Sequence, residues 1–300
     1  MSIFVNESKV FCMTKRSIIG AEVKHFRSHG FIRLRNKLLP LQEPLLMGIV
    51  NLTPDSFFEQ SRFQEEDSLA KYLTLLTEYG FTFVDLGANS TRPGSKKVTP
   101  QEQIKRLGPA LTYIRKNFPQ IFISIDTSSS EVASWSLQEG ADLINDVEGG
   151  NNDPELWKVC GKFNAPYILT HSRGTQDEMH EETAYENVTT SVLFELSQKI
   201  NRIQEAGVKD IIIDPGFGFS KTLEQNYELL QHLSLFQIFE RPILCGFSRK
   251  SMIYKKIKVQ PQEALNGTTV LNTLALTKGC DILRVHDPRE AFEVIALLKM

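Results

Sequence analysis

Residues 121–147 read IFISIDTSSSEVASWSLQEGADLINDV. Two near-continuous apolar runs, 121–127 and 141–147, enclose a helical pattern that ends before Gly140. Such runs are typical of parallel strands covered on both faces, and a glycine between a helix and a strand is typical of a C-terminal helix cap. The stretch therefore predicts a strand–helix–strand unit.

The same unit recurs from residue 45 to the end of the chain. Gly207 and Gly279 again separate a helical pattern from an apolar run. Eight runs alternate with amphipathic segments: LLMGIVNL (45–52), FTFVDLGA (81–88), IFISIDT (121–127), ADLINDV (141–147), APYILTH (165–171), DIIIDPG (210–216), RPILCGF (241–247) and CDILRVHD (280–287). Eight strands and eight helices in about 250 residues predict an α/β fold, a (β/α)₈ TIM barrel. The alternative is an open doubly wound sheet, which is disfavoured because the first strand–helix turn lacks G-x-G-x-x-G.

Two local patterns refine this prediction. Residues 99–102, Thr-Pro-Gln-Glu, predict a helix start with a capping box. Residues 31–44 predict two short extended pieces around Asn36 and Lys37, a short hairpin. We therefore expect an N-terminal extension over 1–30 and one barrel domain over 31–300.

Composition excludes several classes of protein. Of 300 residues, 41% are hydrophobic and 23% are charged, and the net charge of −2 gives no global basic field for nucleic acid. The apolar runs are shorter than the ~18 residues of a membrane-spanning helix. The four cysteines form no C-x-x-C pair, which indicates free thiols in a reducing compartment. We expect a cytoplasmic protein that binds neither nucleic acid nor a membrane.

The apolar runs end in polar residues, and the active sites of such barrels lie at the carboxyl ends of the strands. A polar residue there can simply cap the next helix, but a cation is unfavourable at a helix N-terminus, which makes Lys250, Arg284 and His286 site candidates. The residues at the eight ends are Asn51, Asp85, Asp126, Asn145 with Asp146, His171, Asp214, Ser248 to Lys250, and Arg284 with His286.

Two loops extend the predicted site. The loop over 87–97 is locally basic, with Arg92, Lys96 and Lys97. Together with Arg284 and His286 it predicts an anion site, and the alternative is a solvated charged loop. The loop over 51–63 is long and carries two phenylalanines, which predicts a lid. We expect the two loops to close over the bound anion and exclude water.

Two carboxylates, Asp126 and Asp214, are expected at the mouth of the barrel with Asn145 and Lys250. Paired carboxylates could act as acid and base on a sugar. They could equally accept hydrogen bonds from a heterocycle with adjacent N–H donors. The glycosidase interpretation leaves Lys250, Arg92, Arg284 and His286 without a role.

Seven motifs occur in order along the chain: MGIVNLTPDSF (47–57), STRPG (90–94), SIDT (124–127), INDV (144–147), DPGFGF (214–219), SRKS (248–251) and RVHD (284–287). Together they resemble dihydropteroate synthase, over roughly residues 31–299. The resemblance implies a (β/α)₈ barrel that condenses 6-hydroxymethyl-7,8-dihydropterin diphosphate with 4-aminobenzoate, with release of pyrophosphate. It also implies Mg²⁺ as cofactor and a homodimer.

The resemblance implies a role for individual residues as well. Asn51 matches the metal position, and Lys250, Arg284, His286 and Arg92 match the catalytic positions. The residues that match the pterin-diphosphate site are Thr91, Asp126, Asn145, Asp214, Phe219, Lys250, Arg284 and His286. Those near 4-aminobenzoate are Phe57, Pro93 and Ser251.

The chain departs from the family pattern at three places, one of which is the capping-box helix, where Glu102 and Gln103 stand in place of two adjacent acids. The other two lie in loops. The family has Asp-Gly-Gly after the Ser-Phe of the first loop, where residues 58–61 here are Phe-Glu-Gln-Ser, and it has an acid where Asn89 stands. Loss of two glycines is expected to stiffen the loop. Two alternatives therefore stay open: a pterin-binding relative with weakened catalysis, and a pterin-dependent methyltransferase.

Overall fold

The computed structural model describes residues 30–35, 37–52, 62–89, 98–174 and 182–299. The predicted extension therefore lies outside the described residues, except for Gly30. The predicted hairpin is confirmed: β1 (Phe31–Leu34) pairs antiparallel with β2 (Lys37–Pro40). Arg35 in its turn takes a positive φ of 53° and donates to the Asp142 carboxylate at 2.6 Å.

Eight parallel strands follow, each within one of the eight predicted runs. They are β3 (Leu45–Asn51), β4 (Phe83–Gly87), β5 (Phe122–Asp126), β6 (Leu143–Asp146), β7 (Tyr167–Thr170), β8 (Ile211–Asp214), β9 (Leu244–Cys245) and β10 (Ile282–Val285). Their order in the sheet is β8-β7-β6-β5-β4-β3-β10-β9. A parallel bridge between Ile213 and Ile243 joins the two edges, so the sheet is a barrel and the open-sheet alternative is wrong.

Helices cover the outside of the barrel. They are α1 (Arg62–Glu78), α2 (Pro100–Asn117), α3 (Ser130–Gln138), α4 (Glu155–Phe163), α5 (Val188–Glu205), α6 (Leu223–Gln231), α7 (Ser251–Ile257), α8 (Leu265–Thr277) and α9 (Pro288–Leu298), with 3₁₀ turns at Leu233–Phe239 and Pro261–Glu263. Among the described residues this is one helix more than predicted, because both α7 and α8 follow β9. Over the same residues, no helix has the length and hydropathy to cross a bilayer.

Helix ends follow the sequence signals with one correction. Gly140, Gly207 and Gly279 have φ values of 98°, 95° and 93°, as expected of left-handed C-terminal caps. The Thr99 side chain accepts from the Glu102 backbone N–H as predicted, but Glu102 accepts from Arg106 one turn later instead of completing the capping box. A full capping box occurs at Thr222 and Gln225.

The interior of the barrel is filled from its amino end by an apolar layer. Each strand contributes one side chain: Met47, Phe83, Phe122, Leu143, Ile168, Ile212, Leu244 and Ile282. Ile32 and Leu34 of the hairpin, together with Leu41, pack against this layer. The hairpin thus covers the amino end, and only the carboxyl end of the barrel is left for a site.

Candidate functional site

A polar layer lies directly above the apolar one. Side chains of a strand alternate between its two faces, so the residue two positions beyond each apolar one also points inward. Six of these residues are polar and buried: Asp85, Ser124, Asn145, Thr170, Asp214 and Arg284. Buried polar groups usually have a hydrogen-bond partner, so this layer is the candidate floor of a binding site, and we call it the floor below.

Asp85 holds the layer together. Its Oδ1 accepts from Ser124 Oγ at 2.6 Å, and its Oδ2 accepts from Asn145 Nδ2 at 2.9 Å and from Arg284 Nη1 at 3.2 Å. The strand-end pattern identified Asp85, but no site role was predicted for it. The sequence feature that could have identified it is a carboxylate inside the apolar run 81–88, because a buried charge requires a partner.

Three acceptor atoms of the floor have no hydrogen-bond partner among the described residues: Asn145 Oδ1, Asp214 Oδ2 and Thr170 Oγ1. Asp214 Oδ1 accepts from the Gly216 N–H at 2.8 Å, whereas Oδ2 faces Arg284 Nη2 at 3.9 Å. An unsatisfied buried acceptor is unfavourable by about 1–3 kcal/mol. The floor is therefore prepared to accept hydrogen bonds from a ligand rich in N–H groups.

Lys250 lies beside this acceptor set. Its Nζ donates to the Phe217 carbonyl and lies 4.6 Å from the centre of the Phe219 ring, a cation–π contact. Burial lowers the pKa of Lys250 to about 8, although the Asp214 charge opposes that shift. The predicted pterin-site residues Asp214, Phe219 and Lys250 are thus brought together by the loop after β8.

Asp126 stands one layer nearer the solvent, at the end of β5. Burial, and then the Asp85 charge, raise the pKa of Asp126 to about 7, with Arg284 opposing. Asn51, at the end of β3, is close by: a Cβ built on Gly87 would lie 3.5 Å from Asn51 Oδ1 and 3.6 Å from Asp126 Oδ2. The two oxygens therefore flank Gly87 at the open end of the barrel.

Arg284 and His286 project from β10 and the residue after it. Burial alone would lower the pKa of Arg284, but the charges of Asp85, Asp214 and Asp126 raise it. Gly246 leaves room for the guanidinium, because a Cβ there would lie 3.3 Å from Arg284 Nε. His286 is exposed, and its backbone N–H donates to Ser248 Oγ at 3.1 Å. Ser251 is the first residue of α7.

Two strand-end residues serve the fold. Asp146 accepts from the backbone N–H groups of Glu148 and Gly150 and from the Tyr167 hydroxyl. His171 lies between Glu195 and Lys221, bonded to each at 3.0 Å. Neither side chain belongs to the acceptor set of the floor.

Four predicted site residues, Phe57, Thr91, Arg92 and Pro93, lie outside the described residues. The boundaries of the second loop are described: Asn89 Oδ1 accepts from the Val98 N–H at 3.2 Å. The amide that replaces the family's acid therefore joins the two ends of the segment 90–97. Loop closure itself stays a prediction.

Within the described part of the chain, no three His, Cys, Asp or Glu side chains form a metal-binding group. Asn51 offers an exposed oxygen donor, and Mg²⁺ commonly takes only one or two protein oxygens and completes its shell with water and substrate phosphates. The residues present therefore fit a Mg²⁺ ion that is bound together with a phosphorylated substrate. The three described cysteines, Cys160, Cys245 and Cys280, are free and buried, as predicted.

Comparison with known proteins agrees with this geometry. The family model described as pterin-binding enzyme matches residues 47–286. A dihydropteroate synthase of Clostridium beijerinckii is 39% identical over 248 residues, 82% of this chain and 89% of the relative.

Two solved structures have the same fold. A dihydropteroate synthase from Clostridium difficile, solved in the presence of pteroic acid, is 34% identical with a TM-score of 0.79, over 86% of this chain and 96% of the other. The enzyme from Thermus thermophilus in complex with 4-aminobenzoate is 31% identical with a TM-score of 0.78, over 90% and 98%.

Proposed function

Since the chain belongs to the pterin-binding enzyme family, we propose that it is a dihydropteroate synthase, a transferase that condenses 6-hydroxymethyl-7,8-dihydropterin diphosphate with 4-aminobenzoate. The family and the transferase class rest on relatives that match over most of both chains. The roles of the described side chains are supported by the geometry of the barrel mouth, and the roles of Phe57, Thr91, Arg92 and Pro93 rest on the family resemblance.

The observation that carries these roles is the set of unpaired acceptors on the barrel floor. The pterin edge presents adjacent ring N–H and amino groups, which Asp214 Oδ2 and Asn145 Oδ1 can accept. Lys250 Nζ is close enough to Phe217 and Phe219 to donate to a ring acceptor above them. Asp126 borders the same pocket. A pterin would thus satisfy the atoms that the fold leaves unpaired.

The diphosphate belongs above the floor, where the cations and Asn51 lie. Negative charge grows on the leaving oxygen as the C–O bond breaks, and fixed cations stabilise it most in that state. Arg284 on β10 and His286 just after it would supply donors to this charge. The family resemblance assigns the same role to Thr91 and Arg92. Mg²⁺, held by Asn51 and the phosphates, would supply Lewis-acid stabilisation of the same charge.

The amine then attacks the methylene carbon, whose positive charge the electron-rich dihydropterin disperses. Phe57, Pro93 and Ser251 would surround the aminobenzoate ring and carboxylate. This sequence of steps requires no covalent enzyme intermediate. Closure of the loops 51–63 and 87–97 would keep water, the competing nucleophile, from the cation.

A homodimer fits the outer surface of the barrel. Ile257 of α7 approaches Gly267 of α8, and Val270 and Leu274 continue the same face at i+3 and i+7. Ile257, Val270 and Leu274 are 51%, 50% and 41% exposed. Contiguous exposed apolar side chains mark interaction surfaces, so we assign this strip to a second copy of the chain, in the cytoplasm.

The decisive experiment measures pyrophosphate release from the pterin diphosphate with Mg²⁺, with and without 4-aminobenzoate. Release that depends on 4-aminobenzoate, with dihydropteroate confirmed by mass, is expected. Release without the amine would mean that the second substrate site is damaged. Binding of pterin diphosphate without release of pyrophosphate would favour the catalytically weakened relative. A separate assay that detected methyl transfer to a corrinoid would favour the methyltransferase.

Asp214→Asn tests the assignment of the floor. The amide presents an N–H group to the ring donors, so the affinity for pterin diphosphate is expected to fall by about tenfold or more. Asp210→Asn, at the amino end of the same strand, is the matched control and is expected to bind normally. Calorimetric titration measures both, and near-normal affinity of the Asp214 variant would refute the carboxylate's role.

A further inference from the structure

Lys221 is a buried cation that the proposed reaction does not use. Its side chain is 8% exposed, and its Nζ lies 3.0 Å from His171 Nδ1, 3.0 Å from the Gly216 carbonyl and 3.0 Å from the Phe219 carbonyl. The His171 carbonyl is a fourth acceptor, farther away at 3.4 Å. The three acceptors at 3.0 Å match the three N–H groups of an ammonium. Burial lowers the pKa of Lys221 to about 7, with the Asp214 charge opposing.

His171 provides one of these acceptors and is itself oriented by Glu195. Burial and the Lys221 charge lower the pKa of His171 to about 3, so the imidazole is neutral. Because Nδ1 accepts from Lys221, the proton resides on Nε2, which donates to Glu195 Oε2 at 3.0 Å. Arg173 pairs with the same carboxylate. The position of the Lys221 ammonium is thus determined by a chain of contacts that begins on α5.

The segment that Lys221 holds is the loop after β8. Gly216, Gly218 and Ser220 have φ values of 73°, 83° and 50°, a conformation that needs external support, above all at a non-glycine residue. Lys221 binds the carbonyls on both sides of Phe217, whose own carbonyl accepts from Lys250. The Gly216 N–H orients Asp214. Each pterin-facing group of this loop therefore depends on the path that its backbone takes.

We propose that Lys221 is a positioning residue of the pterin site: through His171 and the carbonyls of Gly216 and Phe219, it holds the loop that presents Asp214, Phe219 and Lys250. The inference rests on the proposed function, since it names what aligns that site. The neutral His171 contacts Lys221 directly. The charged groups around Lys221 are Asp214, Lys250, Glu195 and Arg173.

Four variants test this role. Lys221→Met keeps the length of the chain and removes the three donors. His171→Gln keeps a polar group near Nε2 but removes the acceptor for Lys221, whereas His171→Asn keeps an acceptor near Nδ1 and gives up the link to Glu195. Tyr167→Phe is the matched control, because it disrupts a buried polar contact with Asp146 on the outer face of β7.

The measurements are the dissociation constant of pterin diphosphate, the KM for 4-aminobenzoate and the melting temperature. Lys221→Met and His171→Gln are expected to weaken pterin-diphosphate binding by about tenfold, with the KM for 4-aminobenzoate changed less than about twofold. His171→Asn is expected to stay within about threefold of the unaltered chain. Tyr167→Phe is expected to lower the melting temperature alone.

The inference is overturned if Lys221→Met binds pterin diphosphate as the unaltered chain does, or if His171→Gln and His171→Asn are alike. Should Lys221→Met fail to fold, the histidine pair decides, because both variants keep the lysine. Failure of the unaltered chain to bind pterin diphosphate would instead refute the proposed function itself, so the two failures are distinguishable.

Discussion

Asp126 links the pH of the solution to the stability of the fold. An unfolded aspartate has a pKa of about 3.9, and burial together with the Asp85 charge raises the folded value to about 7. The folded state therefore holds this proton more tightly, and stability falls as the pH rises from about 4 to about 7. Above about pH 7 Asp126 is ionised in both states, and its full unfavourable contribution to the free energy of unfolding is present.

Asp126→Asn is expected to raise the melting temperature of the protein, more at about pH 8 than at about pH 5, and to weaken pterin-diphosphate binding. The exposed Glu139 supplies the control, since Glu139→Gln removes a carboxylate without burial. Thermal melts at the two pH values test this. An equal rise in melting temperature at both pH values would show that the pKa of Asp126 is not raised in the folded protein.

Most candidate site residues could be placed at one rim from the sequence, because a parallel barrel brings all carboxyl ends of its strands together. The sequence alone could not tell which of two adjacent polar residues points inward. Asn145 faces the floor and Asp146 the outer side, since a strand alternates. Asp85 and Lys221 were not assigned to the site, because their roles depend on partners distant in sequence.

Among the elements, the loop after β8 depends on two glycines for different reasons. A Cβ on Gly216 would lie 1.9 Å from the His171 carbonyl oxygen, whereas one on Gly218 would lie 3.1 Å from Lys250 Cδ. The first contact is with backbone, which cannot move away without shifting β7. The second is with a flexible side chain that the substrate needs in place.

Gly216→Ala is therefore expected to weaken pterin-diphosphate binding by about tenfold or more as the loop shifts. Gly207→Ala is the control: its φ of 95° carries the same backbone strain, but a Cβ there meets Gly161 Cα only at 3.7 Å. The positive φ is expected to cost each variant about 1–2 kcal/mol of stability. Gly216→Ala loses more because its Cβ meets backbone, and only Gly216→Ala should lose affinity. Urea unfolding and calorimetric titration separate the two effects.

The hairpin of β1 and β2 contributes to stability and not to binding. Leu34 is fully buried against the apolar layer, which separates it from the polar floor. Leu34→Ala is expected to lower the free energy of unfolding by about 2–5 kcal/mol, with pterin affinity unchanged. Leu38, 59% exposed, is the control, and its alanine variant should change stability by less than about 0.5 kcal/mol. A loss of affinity in the Leu34 variant would contradict this separation.

For the whole molecule, Val270→Asp tests the proposed dimer. A charge in the centre of the apolar strip is unfavourable when the strip is covered, so the variant is expected to sediment as a monomer. Phe194→Asp on α5 provides the control, since Phe194 is 60% exposed away from the strip. Analytical ultracentrifugation decides, and a monomeric unaltered chain would refute the dimer.

The barrel could be predicted from the sequence because the repeat of apolar runs and helices is long and regular. The extra helix could not, since α7 and α8 follow one another without a strand between them and only the 3₁₀ turn Pro261–Glu263 separates them. The predicted capping box at Thr99 is incomplete for a related reason. The Glu102 side chain can cap the helix or accept from Arg106 one turn later, and the sequence is compatible with both; in the structure it accepts from Arg106.

Closure of the barrel has a consequence during synthesis. β3 pairs on one side with β10, so Leu45 cannot pair until Ile282 has been synthesised, 237 positions later. At about 5–20 residues per second, the nascent chain carries an open strand edge for roughly 12–47 s after Leu45 leaves the ribosome. The N-terminal hairpin likewise waits, since the layer it covers includes Leu244 and Ile282. The barrel can therefore close only after β10 has been synthesised, and until then β3 presents a strand edge that another chain could pair with.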